Sequence, residues 1–467
     1  MANGEPYDLT VIGSGPGGYV AAIRAAQLGQ RVAIVEAENL GGVCLNWGCI
    51  PTKALLRNAE VVTLLRRGAE FGIRCEGFSA DFGEAVKRSR QLAGRFNKGV
   101  EFLMKKNAVR VHEGRGRLAS PIEVQVLGAD GAVRATLRSP RILLASGARP
   151  KALPGLPVDG TRVLTSTEAM VLPHVPASIA IIGAGAIGVE FADILHAYGS
   201  AVTLLEMLPQ ILPLEDPEVA QALARSFTRR GIQVRAGTKV EQAEVRPDGV
   251  RLRLGGEGAG ELTVEAVLVA VGRSPNVEGL GLETLGVRTG PGGFIVVNER
   301  FETSVPGVLA IGDVIGAPLL AHAASAEGIA AVEFAAGIER PRLNPLRVPG
   351  VTYCHPQVAS VGLTEARAHE AGRQVRIGKF PLQASGMAQA QGDTEGFVKV
   401  VTDAEYGEVL GVHIVGHGAA ELIAEVGVGM ALEASAEDLS HAIHAHPTLS
   451  EAVHEALLAS LGRAIHI

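Results

Sequence analysis

Apolar runs and an alanine-rich stretch follow one another near the N-terminus in the order strand, helix, strand. The β-branched run Leu9–Ile12 leads into a glycine turn, and a second apolar run over residues 32–35 ends in Glu36. The turn has G-x-G-x-x-G spacing at Gly13, Gly15 and Gly18. These glycines allow a tight turn, close approach of a pyrophosphate and helix-strand packing, while the acid receives ribose hydroxyls. The pattern predicts a dinucleotide-binding unit.

The same pattern recurs later in the chain in constant register. The segment ASIAIIGAGAIGVEFADILHAYGSAVTLLE repeats the strand, turn, helix and strand, and it ends in Glu206. Its glycines are Gly183, Gly185 and Gly188. The spacing from Gly188 to Glu206 equals the spacing from Gly18 to Glu36. The chain is therefore predicted to bind two dinucleotides, which need not be identical.

Further strand exits mark the ends of these units. ILLASGARP (142–150) and VLVAVGRSP (267–275) are apolar strands that run into Gly147 and Gly272, which predicts domain boundaries near 148 and 272. In residues 307–328 a strand ends at Asp313 before an alanine-rich stretch. A ligand contact and a helix N-cap are both open interpretations of Asp313.

Composition and charge limit the function classes. The 467 residues are 47% hydrophobic, which is enough for about two to four domains. A net charge of −6 argues against nucleic acid or an anionic membrane as the main partner and favours a small ligand. The first residues show no secretion signal and no apolar stretch fits a membrane span, so we expect a cytoplasmic protein.

Two of the four cysteines, Cys44 and Cys49, lie five positions apart in GGVCLNWGCIPTK, directly after the first nucleotide unit. A disulfide that closes so short a loop would stabilise the fold by only about 2 kcal/mol, and a reducing compartment would not maintain it. No neighbouring ligand pair completes a zinc site. Packing of two thiols and redox exchange both remain open. If the two dinucleotides are a flavin and a nicotinamide, the thiols complete an electron path.

Histidines concentrate near the C-terminus. The segment HAIHAHPTLSEAVHEA (441–456) contains four of the 13 histidines, together with Glu451 and Glu455. Thiol chemistry near neutral pH needs a base that titrates at about 6 to 7, and histidine meets this need. A metal site through His444 and His446, or the polar start of a helix at Pro447, are the alternatives.

Taken together, GGVCLNWGCIPTK, the paired glycine turns, ASGARP, AIGD and HAHPTLSE resemble the flavin-dependent pyridine nucleotide disulfide oxidoreductases, most closely the members that oxidise dihydrolipoyl groups. The resemblance covers essentially the whole chain. It implies an α/β fold with two Rossmann-like dinucleotide-binding domains, a central domain and a C-terminal α+β dimerisation domain. The implied boundaries are 1–148 for FAD, 149–272 for NAD, 273–345 for the central domain and 346–467 for the interface.

The resemblance also implies roles for individual residues. Cys44 matches the cysteine that meets the substrate dithiol, and Cys49 matches the one that faces the flavin. His446 matches the base, and Glu451 matches the acid that orients it. Lys53 and Glu190 match the lysine and the acid that form an ion pair near the flavin. The implied FAD contacts are Gly13, Gly15, Gly18, Glu36, Lys53, Gly116, Gly147, Asp313 and Ala321, and the implied NAD contacts are Gly183, Gly185, Gly188, Glu206 and Gly272. No metal is expected.

The resemblance implies a homodimer in which the base comes from the partner subunit. It also implies assembly with an acyltransferase or carrier protein that bears the dihydrolipoyl group, as in 2-oxoacid dehydrogenase or glycine cleavage complexes. A member of the family that is specific for NADP would carry basic residues where this sequence has Glu206. A mercury-reducing member would add a cysteine pair near its C-terminus, and LLASLGRAIHI contains no cysteine. A scaffold with vestigial motifs is the alternative from another class.

Two residues depart from the expected pattern. Trp47, the only tryptophan, lies between the paired cysteines, where many relatives carry a smaller residue. We expect it to pack, and a role in flavin access is the alternative. Cys354 stands where a threonine is expected and is predicted to be a small buried residue, whereas the segment around Cys75 is predicted to be a surface connection.

Overall fold

The computed structural model describes residues 6–74 and 77–467. Its strands, in chain order, are β1 Leu9–Ile12, β2 Val32–Glu36, β3 Arg110–Glu113, β4 Arg115–Ser120, β5 Glu123–Leu127, β6 Val133–Arg138, β7 Arg141–Leu144, β8 Ala148–Pro150, β9 Val163–Leu164, β10 Ser178–Ile182, β11 Ala201–Leu205, β12 Gln233–Arg235, β13 Thr238–Arg246, β14 Gly249–Gly256, β15 Gly260–Val264, β16 Ala266–Val269, β17 Arg273–Pro275, β18 Val308–Ala310, β19 Gly350–Thr352, β20 Val358–Gly362, β21 Val375–Pro381, β22 Phe397–Asp403 and β23 Val409–Val415.

The described residues also form α-helices. They are α1 Pro16–Gln27, α2 Gly42–Asn46, α3 Cys49–Arg66, α4 Phe82–Lys106, α5 Ser166–Ala169, α6 Ala186–Ala197, α7 Pro217–Arg230, α8 Leu282–Leu285, α9 Ala321–Ala335, α10 Glu365–Glu370, α11 Gly386–Gln391, α12 Ala419–Ala431, α13 Ala436–Ser440 and α14 Glu451–Ser460. Short 3-10 turns cover Gly68–Phe71, Pro291–Gly293, Gly312–Ile315, Pro345–Arg347 and Leu382–Ala384.

The described residues form two compact units. One combines the chain up to Ala54 with Lys87–Lys151 and Gly272–Leu343, and the other combines Leu55–Val86, Ala152–Val271 and Asn344–Ile467. The first unit has a parallel sheet in the order β18-β7-β1-β2-β3 and an antiparallel sheet of β4, β5 and β6. Both faces of the parallel sheet are buried, since Val11 packs with α1 and α9 while Ile12 packs with β5 and β6.

The second unit repeats this arrangement and adds another sheet. Its parallel sheet has the order β12-β11-β10-β16-β9, and β13, β14 and β15 form the antiparallel counterpart. The added antiparallel sheet has the order β19-β20-β23-β22-β21 and packs against α12 and α14. The predicted α/β fold class is confirmed.

Residues 273–345 were predicted to form a central domain, but their strands pair with strands of the first unit. They contribute β18 to the first parallel sheet, where Val308 pairs with Ile142. They also contribute β17, which pairs with β8. Gly272–Leu343 therefore belong to the first unit. The predicted boundaries at 148, 272 and 345 stay predictions of the sequence. A parallel edge strand as short as β18 cannot have its partner recognised from its hydrophobic pattern.

Candidate active site

The two paired cysteines lie at the junction of two helices in the first unit. Cys44 is in α2, and Cys49 is the first residue of α3. The turn into α2 requires a glycine, because Gly41 has a φ of 91° and a Cβ there would lie 2.5 Å from the Leu45 side chain. Both cysteines are half-buried, which restricts the access of water to them.

Two opposite influences act on the Cys44 thiol. A hydrogen bond with Cys49, and then burial, raise the pKa of the Cys44 thiol far above its ordinary value, while the charge of Lys53 acts in the opposite direction. Cys49 stands at the N-terminus of the long helix α3, a position that stabilises negative charge. Lys53 and the start of α3 therefore both favour negative charge at this junction.

Both glycine turns have room for a pyrophosphate at a helix N-terminus. A Cβ on the first glycine would lie 2.3 Å from the Ala145 oxygen at Gly13 and 2.4 Å from the Ala270 oxygen at Gly183, so neither position tolerates a side chain. The third glycines are equally crowded. At Gly15 and Gly185, by contrast, nothing among the described residues other than the glycine's own chain neighbours lies within 4 Å of the added carbon. These open positions begin α1 and α6, and they fit the phosphates of a dinucleotide.

The two acids at the strand ends lie in equivalent places. Glu36 accepts hydrogen bonds from the Ser14 amide at 2.9 Å, the Ser14 hydroxyl at 2.5 Å and the Glu38 amide at 2.9 Å. Glu206 accepts from the amides of Ala184 at 2.8 Å and Leu208 at 2.9 Å. Each carboxylate is thus tied to its own glycine turn, and its remaining lone pairs are available to ribose hydroxyls.

Asp313 lies shortly after β18, in the 3-10 turn Gly312–Ile315. Its carboxylate is 3.4 Å from Nε of Arg273, and burial raises its pKa. The adjacent Gly312 amide donates to Glu327 of α9 at 2.7 Å. Asp313 does not cap α9, whose N-cap is Leu320. Of the two interpretations of Asp313, the helix cap is therefore wrong, and the ligand contact stays a prediction.

The other predicted cofactor contacts occupy several environments. Gly147 and Gly272 have φ values of 70° and 111°, at the ends of the strands that close the two nucleotide units. Gly116 is in β4, where a Cβ would be 2.8 Å from the Ile12 side chain, so packing alone explains this glycine. Ala321 is the first residue of α9.

The predicted base is held by the predicted acid in the second unit. Nδ1 of His446 is 2.8 Å from Oε1 of Glu451, and Oε2 of Glu451 accepts the Thr448 amide at 2.8 Å. The Thr448 amide first, and then His446, lower the pKa of Glu451. The imidazole is 78% exposed, so Nε2 faces solvent and can take a proton from an approaching thiol.

His444 is separate from this base. Its Nε2 is 2.5 Å from Glu425, its Nδ1 is 3.1 Å from the Ala442 oxygen, and its ring packs near His454. No group of three or more His, Cys, Asp or Glu side chains suited to a metal occurs in the described residues. Within that part of the chain, the structure offers no support for a metal site through His444 and His446.

The remaining predicted positions are distributed over both units. Lys53 belongs to the first unit, in α3. Glu190 belongs to the second unit, is buried in α6 and accepts the Tyr353 amide at 3.0 Å. Cys354 is buried as predicted, with its thiol 3.2 Å from the Pro356 oxygen. Cys75 lies outside the described residues.

Several residues of this site were not found from the sequence. Ser14 was inside the glycine turn, but its bond to Glu36 depends on the fold. Arg273 was visible in VGRSP and faces Asp313. Glu327, which holds the turn before Asp313, and Arg90, which lies over Trp47, gave no local signal because their partners are distant in sequence.

Comparison with known proteins places the chain in a family. The family described as "Pyridine nucleotide-disulphide oxidoreductase" matches residues 7–328, and the corresponding dimerisation domain matches residues 348–457. The chain belongs to the pyridine nucleotide-disulphide oxidoreductases. The predicted oxidoreductase class and the predicted cofactors, FAD and NAD, are confirmed, and the dimerisation domain supports a homodimer.

Full-length relatives share its organisation. Dihydrolipoyl dehydrogenase of Chlorobaculum tepidum is 48% identical over 97% of both chains. The proteins of the same name from Thermus scotoductus and Bacillus subtilis are 46% and 43% identical, the first over 99% of each chain and the second over 98% of this chain and 99% of its own. The identity in each case spans both nucleotide units and the dimerisation domain.

Solved structures show the same fold. LpdA from Mycobacterium tuberculosis superposes with a TM-score of 0.90 at 27% identity and covers 96% of this chain and 98% of its own. The HOCl-induced flavoprotein disulfide reductase RclA from Escherichia coli, as its Cu(II) complex, gives a TM-score of 0.86 at 27% identity, covering 97% and 99%. Among the described residues of this chain, no helix is long and apolar enough to cross a membrane.

Proposed function

We propose that this chain is an NAD-dependent dihydrolipoyl dehydrogenase in which Cys44 and Cys49 form the redox-active disulfide. The relatives of that name support the activity. The observation that carries the residue assignment is the hydrogen-bonded cysteine pair at the N-terminus of α3, directly after the first nucleotide turn. When bound, FAD would accept an electron pair from the cysteine pair and NAD would receive it as hydride.

The residues that would hold the cofactors lie at the two turns. Gly15 and the start of α1 would accept the FAD pyrophosphate, and Glu36 its ribose. Gly185, the start of α6 and Glu206 would hold NAD in the same way. A carboxylate at Glu206 opposes a 2′-phosphate, which favours NAD over NADP.

His446 would act at the dithiol step. Its Nε2 takes a proton from one dihydrolipoyl thiol, and the resulting thiolate attacks the Cys44 sulfur of the disulfide. The Cys44–Cys49 bond breaks, and Cys49 leaves as a thiolate. The second substrate thiol gives up its proton and attacks the substrate sulfur of the mixed disulfide, which releases the lipoyl disulfide and the Cys44 thiolate. Cys44 takes up one proton, and the other passes to solvent.

Glu451 would keep His446 in the form this step needs. It accepts the Nδ1 proton, so Nε2 is left as the free base, and it stabilises the imidazolium that forms when Nε2 takes the thiol proton. The Thr448 amide fixes the other carboxylate oxygen, so the ring orientation is set before the substrate arrives.

The quaternary arrangement is part of the proposal. His446 lies within residues 348–457, which match the dimerisation domain, and its imidazole is exposed in the single chain. We infer that His446 serves the cysteine pair of the partner subunit. The substrate would be a dihydrolipoyl group carried by an acyltransferase or carrier protein of a multienzyme complex, in the reducing cytoplasm.

Steady-state kinetics would test the function. The purified dimer is expected to reduce NAD in the presence of dihydrolipoamide, and to show little reduction of glutathione disulfide by NADPH. Reduction of NAD that requires no dithiol, or a preference for glutathione disulfide, would refute the proposal. Flavin absorbance recorded in the same samples reports whether FAD is present.

A further inference from the structure

Three consecutive residues of α4 contact the segment that carries the paired cysteines. Nη1 of Arg88 donates to the Ala54 oxygen at 3.3 Å, and the buried Ser89 hydroxyl donates to the Pro51 oxygen at 3.0 Å. Nη1 of Arg90 donates to the Asn46 oxygen. The acceptors span residues 46–54, so α4 holds the backbone on both sides of Cys49.

Arg90 makes a second contact with this segment. Its guanidinium carbon lies 4.3 Å from the centroid of the Trp47 ring, within range of a cation–π interaction. Arg90 is half-buried, and burial lowers its pKa. An arginine remains charged even so. Arg90 therefore places a partly desolvated positive charge beside the residues between the two cysteines.

The Asn46 oxygen needs an external donor. It lies at the C-terminal end of α2, where helix carbonyls have no partner within the helix. The Trp47 amide turns back to the Val43 oxygen at 2.7 Å, and the Asn46 side chain donates to the oxygens of Leu40 and Gly42. Arg90 thus satisfies the exit carbonyl of the helix that contains Cys44.

The position of this charge matters for the redox state. Breaking the Cys44–Cys49 bond adds two electrons, and in the proposed function one proton stays on Cys44 while Cys49 is left as a thiolate. The reduced pair is then one charge more negative than the disulfide. A fixed cation nearby stabilises the reduced state, in the same direction as the N-terminal dipole of α3.

We propose that Arg90 is a positioning residue for the redox pair, fixed by its stacking on Trp47, and that it makes the Cys44–Cys49 disulfide easier to reduce. This inference rests on the proposed redox role of the two cysteines. The proposal also assigns a role to Trp47. Its indole face holds the Arg90 guanidinium in place, and a smaller side chain would not offer this contact.

Four variants of the full-length holoenzyme separate charge from packing. Arg90→Met removes the charge but keeps an unbranched side chain, and Arg90→Lys keeps the charge without the planar stacking. Trp47→Phe retains an aromatic face of smaller area. Arg95→Met is the matched control, because Arg95 is an exposed arginine of the same helix.

Equilibration with dihydrolipoamide and lipoamide mixtures, followed by alkylation and mass spectrometry of the peptides with Cys44 and Cys49, reports the reduced fraction. Arg90→Met is expected to lower the equilibrium constant for reduction about tenfold, which is about 30 mV for a two-electron couple. Arg90→Lys and Trp47→Phe are expected to fall between Arg90→Met and the wild type, and Arg95→Met to match the wild type. The kcat for dithiol oxidation should follow this order, with the KM for NAD unchanged.

The proposal is overturned if Arg90→Met retains the wild-type equilibrium constant, or if Arg95→Met shifts it equally. A loss of activity that follows only flavin content or melting temperature, with no change in the reduced fraction, also overturns it. Failure of the proposed function looks different. In that case the wild-type peptides show no change of alkylation across the mixtures.

Discussion

His446 and Glu451 share a hydrogen bond of 2.8 Å between Nδ1 and Oε1, although Pro447 and three further residues separate them along the chain. The bond leaves Nε2 exposed on the outer side of the ring. The acid is itself fixed by the Thr448 amide. A base is thereby oriented before any thiol approaches, which is the arrangement expected of a preorganised proton acceptor.

Replacing this base should affect one half-reaction. His446→Gln is expected to slow dihydrolipoamide oxidation about a hundredfold or more, because no side chain remains to take the thiol proton. Reduction of the flavin by NADH needs no such acceptor and should change much less. Stopped-flow measurement of both half-reactions checks this. His441→Gln, which alters an exposed histidine of the same segment, is the control and should behave as the wild type.

Mixed dimers test whether the base acts across the subunit interface. A dimer of one Cys44→Ser chain and one His446→Gln chain has one intact site if His446 serves the partner, since the intact cysteines and the intact histidine then meet. About half the wild-type activity is expected after the doubly tagged heterodimer is purified. Inactive heterodimers alongside active wild-type dimers with the same tags would mean that His446 acts within its own chain.

Each cysteine should be needed for dithiol chemistry and neither for FAD binding. Cys44→Ser and Cys49→Ser are each expected to abolish dihydrolipoamide oxidation, because no disulfide can form. The flavin absorbance per chain should remain, since the pyrophosphate turn around Gly15 is untouched. Cys354→Ser is the comparison at a buried thiol outside the proposed site. Dithiol oxidation that persists in either of the first two variants contradicts the assignment.

Glu206 should govern the choice between NAD and NADP. Glu206→Ala removes the charge that opposes a 2′-phosphate and also the acceptor for the amides of Ala184 and Leu208. The ratio of kcat/KM for NAD to that for NADP is expected to fall at least about tenfold. Glu206→Gln, which keeps one acceptor oxygen, should fall less. A wild-type enzyme that uses both nucleotides equally would show that Glu206 does not select.

We expect Glu215 to make the stability of the second unit depend on pH. Burial, and to a smaller extent Asp216, raise the pKa of this carboxyl, which accepts the Ser360 hydroxyl at 3.1 Å. Because the folded protein has the higher pKa, protonated Glu215 contributes its full stability below the pKa of the unfolded chain. This contribution to the free energy of unfolding is lost as the pH rises through the folded pKa. Glu215→Gln should therefore raise the melting temperature by about 2 °C at pH 8.

The same comparison at low pH supplies the control for Glu215. Near pH 4 the wild-type carboxyl is protonated in the folded state and largely so in the unfolded state, so the advantage of the glutamine should disappear. A melting-temperature difference that is the same at both pH values would mean that the effect comes from packing and not from ionisation. Glu395→Gln, at a more exposed carboxylate paired with Arg229, should instead lower stability slightly.

The sequence was sufficient for the features that are local. The turn at Gly13, the open position at Gly15 and the acid at Glu36 all lie within one strand-helix-strand unit, where spacing determines geometry. The constant register of the repeat allowed the second unit to be read from the first. His446 and Glu451 were assigned from the resemblance to the family, and in the structure they meet at the start of the helix that begins at Glu451.

Long-range pairing could not be read from the sequence. Strand β18 joins a sheet whose neighbouring strand, β7, ends at Leu144, far earlier in the chain, and β18 is too short to show a periodicity that identifies its partner. Arg90 and Trp47 are also distant in sequence, and only the packing of α4 brings them into contact. The proline at 447 suggested a helix start, but the helix begins at Glu451 because the preceding residues form the turn that holds His446.

The donors to Glu36 and Glu206 differ by the Ser14 hydroxyl, which the second turn lacks because alanine stands at position 184. The hydroxyl also accepts the Gly41 amide at 3.2 Å, which connects the first turn to the start of the cysteine segment. Opening the first turn would break this additional network, whereas the second can open at lower cost. If the first turn holds FAD and the second holds NAD, as proposed above, this difference agrees with a nucleotide that stays bound in the first turn and one that exchanges in the second.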